Sequence, residues 1–374
     1  MGLTLKEHLT RNLVNIPGFR SNRKIVILES DDWGAIRMAS KEVFEKFKAI
    51  GIPVDKSAYD ANDALESNDD LAALFEILTQ VKDCNGNPAI ITANNIVGNP
   101  DFKKIKQSEF EQYFFEPFTE TLKRYPNHHR VIDLYKEGIA KNIFRPQFHG
   151  REHLNVNTWM RALQANDQRF RLAFDHAMFS VRRENESNCH KQSLDAFGTH
   201  HVQELPALQT IITEGMDLFE KLWGYRSQTI ISPCYIWRSE IEQYFFENGI
   251  QSIQSSVAQL SPKLNQKGYD IIRKYTGQKN KLGQFYTVRN AMFEPTSQPQ
   301  KDWVDHCLRE ISIAFRWKKP AIISTHRLNY IGSIHPDNSA RNLKLLKKLL
   351  TGMLQRWPTI EFMSSDQFAT LLKK

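Results

Sequence analysis

Short apolar runs alternate with longer segments of helical period along almost the whole chain, and this alternation limits the fold more than any other feature. KIVILES at 24–30 reads as a buried strand, and SKEVFEKFKAIG behind it as a helix with Ser40 as N-cap and Gly51 as stop. NDDLAALFEILTQVKD (68–83) follows as an amphipathic helix, then PAIITAN (88–94) as a strand. Two helices are predicted in EFEQYFFEPFTETLKRY and RVIDLYKEGIAKN, before the strand NIFRPQF (142–148). The second half repeats the pattern, with strands TIIS (229–232), IQSIQ, GQFYTVRN, PAIIST (320–325) and TIEFM (359–363) set between helical segments. Strand–helix repetition of this kind predicts a parallel sheet of βα units. About eight strands over 374 residues favour a distorted, incomplete (β/α) barrel of seven or eight parallel strands. No G-x-G-x-x-G follows the first strand and no G-x-x-x-x-G-K-[ST] occurs, so neither nucleotide fingerprint is present.

The absence of a composition break or linker predicts one domain over 1–374, with a polar rim insertion at 184–203 that shapes substrate access. Apolar residues are 41% and charged residues 25% of the chain, which excludes disordered and collagenous classes. The net charge of +8 comes from 50 basic and 42 acidic residues interspersed along the sequence, and predicts a solvated surface rather than a nucleic-acid partner. No run approaches the roughly 18 apolar residues of a membrane helix. MGLTLKEHLTRNLVNIPGF reads as a short amphipathic helix, not a secretory leader. Four scattered cysteines with no CxxC pair suit reduced thiols, and together these features predict a cytoplasmic location.

In αβ barrels chemistry collects at the C-terminal ends of the strands. Five predicted strand ends here carry polar or reactive residues. Asp31 and Asp32 follow the first strand, and His149 follows NIFRPQF with His153 four residues on. Pro233, Cys234, Tyr235 and Trp237 follow TIIS, Asn290 ends GQFYTVRN, and His326 with Arg327 follows PAIIST. Side chains alternate along a strand, so the two aspartates point different ways. Two imidazoles at i, i+4 share one face if the segment is helical, as two ligands of one metal require. Two histidines and a carboxylate leave open positions on a catalytic metal, and suit Zn²⁺ by default or Fe²⁺, Co²⁺, Ni²⁺ or Mn²⁺. A histidine on the same rim can transfer a proton.

Taken together, LESDDW (28–33), HGREH (149–153) and STHRLN (324–329) resemble the first, second and last motifs of the polysaccharide deacetylases. This carbohydrate esterase family belongs to the glycoside hydrolase/deacetylase barrel superfamily. The resemblance covers about residues 24–330. It implies removal of an acetyl group from an N-acetylated or O-acetylated sugar or glycan precursor. It also implies Asp32, His149 and His153 as metal ligands, Asp31 as general base and His326 as general acid. SPCYIW (232–237) resembles the third motif, which implies the backbone N–H of Cys234 or Tyr235 as oxyanion donor. Trp237, Asn290 and Arg327, on the same rim, are candidate substrate contacts. The pattern departs from the family in three places. Gly150 stands where Ser or Thr is usual, and Ser232 stands where the third motif has Arg. Arg37, Arg289 or Arg327 can supply that charge instead. No fourth motif is found, so the partner of His326 is open. Two other readings share the barrel: a glycoside hydrolase with Glu29 or Glu152 as a second acid, or an inert carbohydrate-binding barrel using Trp33, Tyr235 and Trp237.

Overall fold

Nine strands of the computed structural model, which describes residues 5–179, 181 and 193–373, form one curled sheet. In chain order they are β1 (Lys24–Trp33), β2 (Ile91–Ile96), β3 (Phe144–Gly150), β4 (Thr229–Ile231), β5 (Ser252–Ser255), β6 (Phe285–Val288), β7 (Ala291–Met292), β8 (Ala321–His326) and β9 (Ile360–Phe362). Their spatial order is β6-β5-β4-β3-β2-β1-β8-β7, with β9 also on β1, and every pairing is parallel. Strands β1 to β6 are thus neighbours in chain order, β8 and β7 continue the sheet on the other side of β1, and helices lie outside, as in an incomplete (β/α) barrel.

The two edges of this sheet belong to one continuous segment. β6 pairs with β5, and β7 begins three residues later beside β8 on the opposite edge. Between them the Arg289 amide donates to the Ser255 carbonyl at 3.1 Å, and the Asn290 amide donates to the Ile322 carbonyl at 3.0 Å. Residues 285–292 therefore form a seam across the barrel.

Local rules explain most elements. The helix Lys41–Ala49 begins at Ser40, whose side chain accepts from the Val43 amide. Asn68–Gln80 carries a reciprocal capping box between Ser67 and Asp70. Leu205–Trp223 ends at Gly224, in the left-handed conformation that glycine adopts without strain. β1 is apolar from Ile25 to Leu28, each residue 0% exposed, as a strand covered on both faces requires. Two expectations fail. The segment predicted as one helix near 110–125 instead contains a strand, Phe115–Pro117, and a short helix, Phe118–Leu122; Pro117 lacks the N–H that an uninterrupted helix needs. HGREH is not helical either, since His149 and Gly150 end β3 and a loop follows. Of the predicted insertion 184–203, residues 184–192 lie outside the described residues. Its remainder has no regular element before the short turn Val202–Glu204. Among the described residues no helix is long and apolar enough to cross a membrane.

Candidate active site

β1 sets the two aspartates apart. The pairing with β2 shifts register between Ser30 and Trp33, and Asp32 has φ +77°, a left-handed value unusual for a residue with a side chain. Asp31 then faces the barrel interior and Asp32 the rim.

The interior around Asp31 is a buried polar ladder. Arg289 donates from Nη2 to Asp31 Oδ1 (2.6 Å) and from Nη1 to Asp31 Oδ2 (2.7 Å). The same guanidinium donates to Glu29 (2.8 Å), Ser324 (3.1 Å) and the Tyr235 hydroxyl (3.1 Å). Asn94 adds a bond to Asp31 Oδ1 at 2.7 Å and exchanges bonds with Gln254. Burial works to raise the Asp31 pKa, but Arg289 outweighs it and holds the carboxyl below its ordinary value. In place of the missing third-motif arginine, the seam between β6 and β7 thus delivers one from elsewhere in the chain.

Asp32 lies in a different setting. Its Oδ1 is 3.4 Å from His149 Nε2 and 3.2 Å from His153 Nε2. Ligand atoms of the three residues all fall within 4.8 Å of one another, the one such buried group among the described residues. The turn that brings His153 back beside His149 runs through Gly150 at φ +135°. A Cβ there would meet the Glu152 carbonyl oxygen at 2.8 Å, which explains why neither Ser nor Thr stands at this position. His149 Nδ1 lies 2.9 Å from the Ile231 carbonyl. A carbonyl only accepts, so Nδ1 carries the proton and Nε2 presents its lone pair. That Nε2 is buried with no hydrogen-bond partner. An orphaned imidazole nitrogen beside an ionised carboxylate fits a divalent cation. Burial holds the His153 pKa down, which keeps the ring neutral, as ligation requires.

His326, at the end of β8 and in register with Asp31, completes the rim. Its Nε2 is 3.6 Å from Asp31 Oδ2. Its Nδ1 is 2.6 Å from Glu294 Oε1, and Asn329 steadies the other oxygen of that carboxylate at 2.8 Å. Burial alone would lower the His326 pKa, but Glu294 reverses this and lifts it to about 9. Glu294 is thus the partner that sequence reasoning missed. It sits in FEP after the seam, with no motif to mark it; only pairing to β8 brings it close.

A cavity of about 440 Å³ joins these groups, lined by Asp31, Asp32, His149, His153, Cys234, Tyr235 and His326, with Arg37, Tyr59 and Leu194 on its walls. Three sequence candidates lie elsewhere. Trp237 is 0% exposed and donates its indole N–H to Glu242. Asn290 is buried and bonds Asn15, Pro320 and the Ile322 amide, joining the seam to its surroundings. Arg327 is 0% exposed and pairs with Asp63 and Glu66. Each occupies a strand end but turns away from the cavity into the core. Glu29 and Glu152 do not line the cavity; they are buried against Arg289 and Arg151 respectively. Trp33 is also fully buried, so only Tyr235 remains of the supposed aromatic platform. The Tyr235 amide donates to the Ser232 carbonyl at 3.0 Å inside its turn.

No family model matches the chain, and no curated protein matches it. Among solved structures, one described as a glycoside hydrolase/deacetylase from Parabacteroides distasonis matches with TM-score 0.50 and 10% identity, over 96% of this chain and 73% of that one. One described as a polysaccharide deacetylase from Mycobacterium smegmatis gives 0.45 and 10%, over 96% and 93%. A 4-alpha-glucanotransferase from Thermococcus litoralis gives 0.47 and 10%, over 93% of this chain but 40% of its own. At 10% identity the likeness is one of fold: the chain shares its incomplete (β/α) barrel with the Parabacteroides distasonis structure.

Proposed function

We propose that this protein is a metal-dependent hydrolase that removes an acetyl group from an N-acetylated, or O-acetylated, sugar or glycan precursor. The observation that carries this reading is one cavity holding three prepared groups: the Asp32–His149–His153 cluster, the Asp31–Arg289 pair and the His326–Glu294 pair. Asp32, His149 and His153 would hold the ion, with Zn²⁺ the first choice and Fe²⁺, Co²⁺, Ni²⁺ or Mn²⁺ alternatives. When bound, a divalent ion lowers the pKa of a water ligand towards about 7 and polarises the acyl carbonyl.

The remaining work falls to the chain. Asp31, kept ionised and aimed by Arg289, accepts the proton of the attacking water. The backbone N–H of Cys234 is our choice for holding the oxyanion. His326, protonated because of Glu294, gives its proton to the departing nitrogen or oxygen, whose expulsion is otherwise unfavourable. Leu194 and Ile231 give the cavity an apolar side suited to a methyl group.

The test is metal analysis of the purified protein together with acetate release from a panel of N-acetylated and O-acetylated oligosaccharides. About one ion per chain and acetate release that stops on chelation are expected. A fully metallated protein that releases acetate from no acetylated sugar would sink the proposal.

A further inference from the structure

Three arginines lie close to the cavity, and two are held by pairs of carboxylates: Arg289 by Asp31 and Glu29, Arg327 by Asp63 and Glu66. Arg37 differs. Its side chain is 13% exposed, on the loop after β1, and it lines the cavity. Its nearest carboxylates are Asp63 at 3.6 Å and Asp32 at 3.8 Å, both beyond hydrogen-bond distance. Among the described residues its Nε is buried with no partner. A buried guanidinium N–H with no acceptor among the described residues is costly unless something else accepts from it.

Tyr59 extends the same wall. Its ring lies 5.6 Å from the Arg37 guanidinium and, edge-on, 5.5 Å from the His326 ring. Resting on that rigid face, Arg37 is held against the wall rather than swinging into solvent. The segment from 34 to 62 therefore carries two donor-bearing side chains to the cavity wall.

We infer that Arg37 and Tyr59 read the substrate, donating hydrogen bonds to uncharged oxygens of the acetylated sugar beside the acyl group. This inference rests on the deacetylase reading above. Uncharged oxygens are specified because Arg37 already has three carboxylates, Asp32, Asp60 and Asp63, close to it. A second full negative charge on the ligand would gain little there, whereas a hydroxyl or carbonyl oxygen supplies the missing acceptor with no such opposition. The substrate class is then a neutral acetylated sugar, not a phosphorylated or acidic one.

The probe is triacetylchitotriose, titrated calorimetrically into the purified protein and into Arg37→Met and Tyr59→Phe, with metal content measured on each. Arg37→Met should weaken binding about tenfold or more and Tyr59→Phe by a few-fold, with metal content at the wild-type level in both. N-acetylglucosamine 6-phosphate should bind the wild type no more tightly than N-acetylglucosamine does. Sugar affinity equal in all three proteins, or no binding by the wild type, overturns the inference. So does loss of metal from Arg37→Met at unchanged sugar affinity, which would make Arg37 a support for Asp32. Tight, Arg37-dependent binding of the phosphorylated sugar overturns the choice of a neutral ligand. Arg37-dependent sugar binding without acetate release would uphold the inference while the catalytic reading falls; acetate release indifferent to Arg37 would do the reverse.

Discussion

Inside the barrel, Asp31 accepts three hydrogen bonds from Arg289 and Asn94 and is clamped from two sides. One residue further on, Asp32 faces two imidazoles, each of which has a buried nitrogen with no hydrogen-bond partner. The interior ladder satisfies its polar groups, while the rim leaves its own unsatisfied. A saturated carboxylate has a fixed direction and stays ionised. An unsaturated cluster stores a demand for a ligand. The contrast teaches that adjacent residues of one type can be specialised by their surroundings alone.

The largest effect should come from breaking the unsatisfied side. Asp32→Asn or His149→Ala should empty the metal site and abolish acetate release together, as metal analysis beside a hydrolysis assay would reveal. If Asp32→Asn keeps its metal and Asp31→Asn loses it, the two sides have been assigned in reverse. Asp31→Asn should instead retain the ion while kcat falls by about 10²–10⁴. Next comes the pH profile. His326 has a pKa raised to about 9, so it stays protonated below that value and activity should fall as pH rises through it. Its contribution to stability has the same sign, complete below the ordinary imidazole value and lost as pH rises through about 9. Glu294→Gln should move the alkaline limb of kcat towards the ordinary imidazole value; a limb that stays near 9 would break the pairing. Gly150→Ser, which puts in a residue usual at that place in the deacetylase motif, should cost about 1–3 kcal/mol in thermal or denaturant unfolding, because of the positive φ and the close Glu152 carbonyl. The smallest change should be Trp237→Phe, which loses one indole bond to Glu242, costing about 1 kcal/mol, and leaves KM for any sugar substrate unaltered.

The barrel and the metal cluster were legible because both depend on local signals. Apolar runs such as KIVILES declare buried strands, and the DD and HxxxH spacings survive whatever the intervening chain does. The spacing was nonetheless read through the wrong conformation: His149 and His153 meet across a glycine turn, not along a helix. Position at a strand end proved a weak guide for Trp237, Asn290 and Arg327. A strand end has two faces, and sequence does not say which of them opens to the cavity. Arg289 and Glu294 were harder still. They act on Asp31 and His326 across 258 and 32 residues of chain respectively, so only strand pairing makes them neighbours. Sequence narrowed the arginine to three candidates, and the hydrogen bonds separate them.

The seam at residues 285–292 ties assembly to chemistry. Arg289 reaches Asp31 only when its segment has paired with β5 on one side and β8 on the other, contacts separated by dozens of residues. Such long-range closure belongs to the late part of folding, after loops have been brought together at entropic cost. A chain with its seam unzipped would keep most of its helices and much of its sheet, yet lack an aligned base. On the proposed reading, hydrolytic activity then becomes a gauge of ring closure, and partial opening at this joint would silence it well before a spectroscopic melt registered any loss of structure.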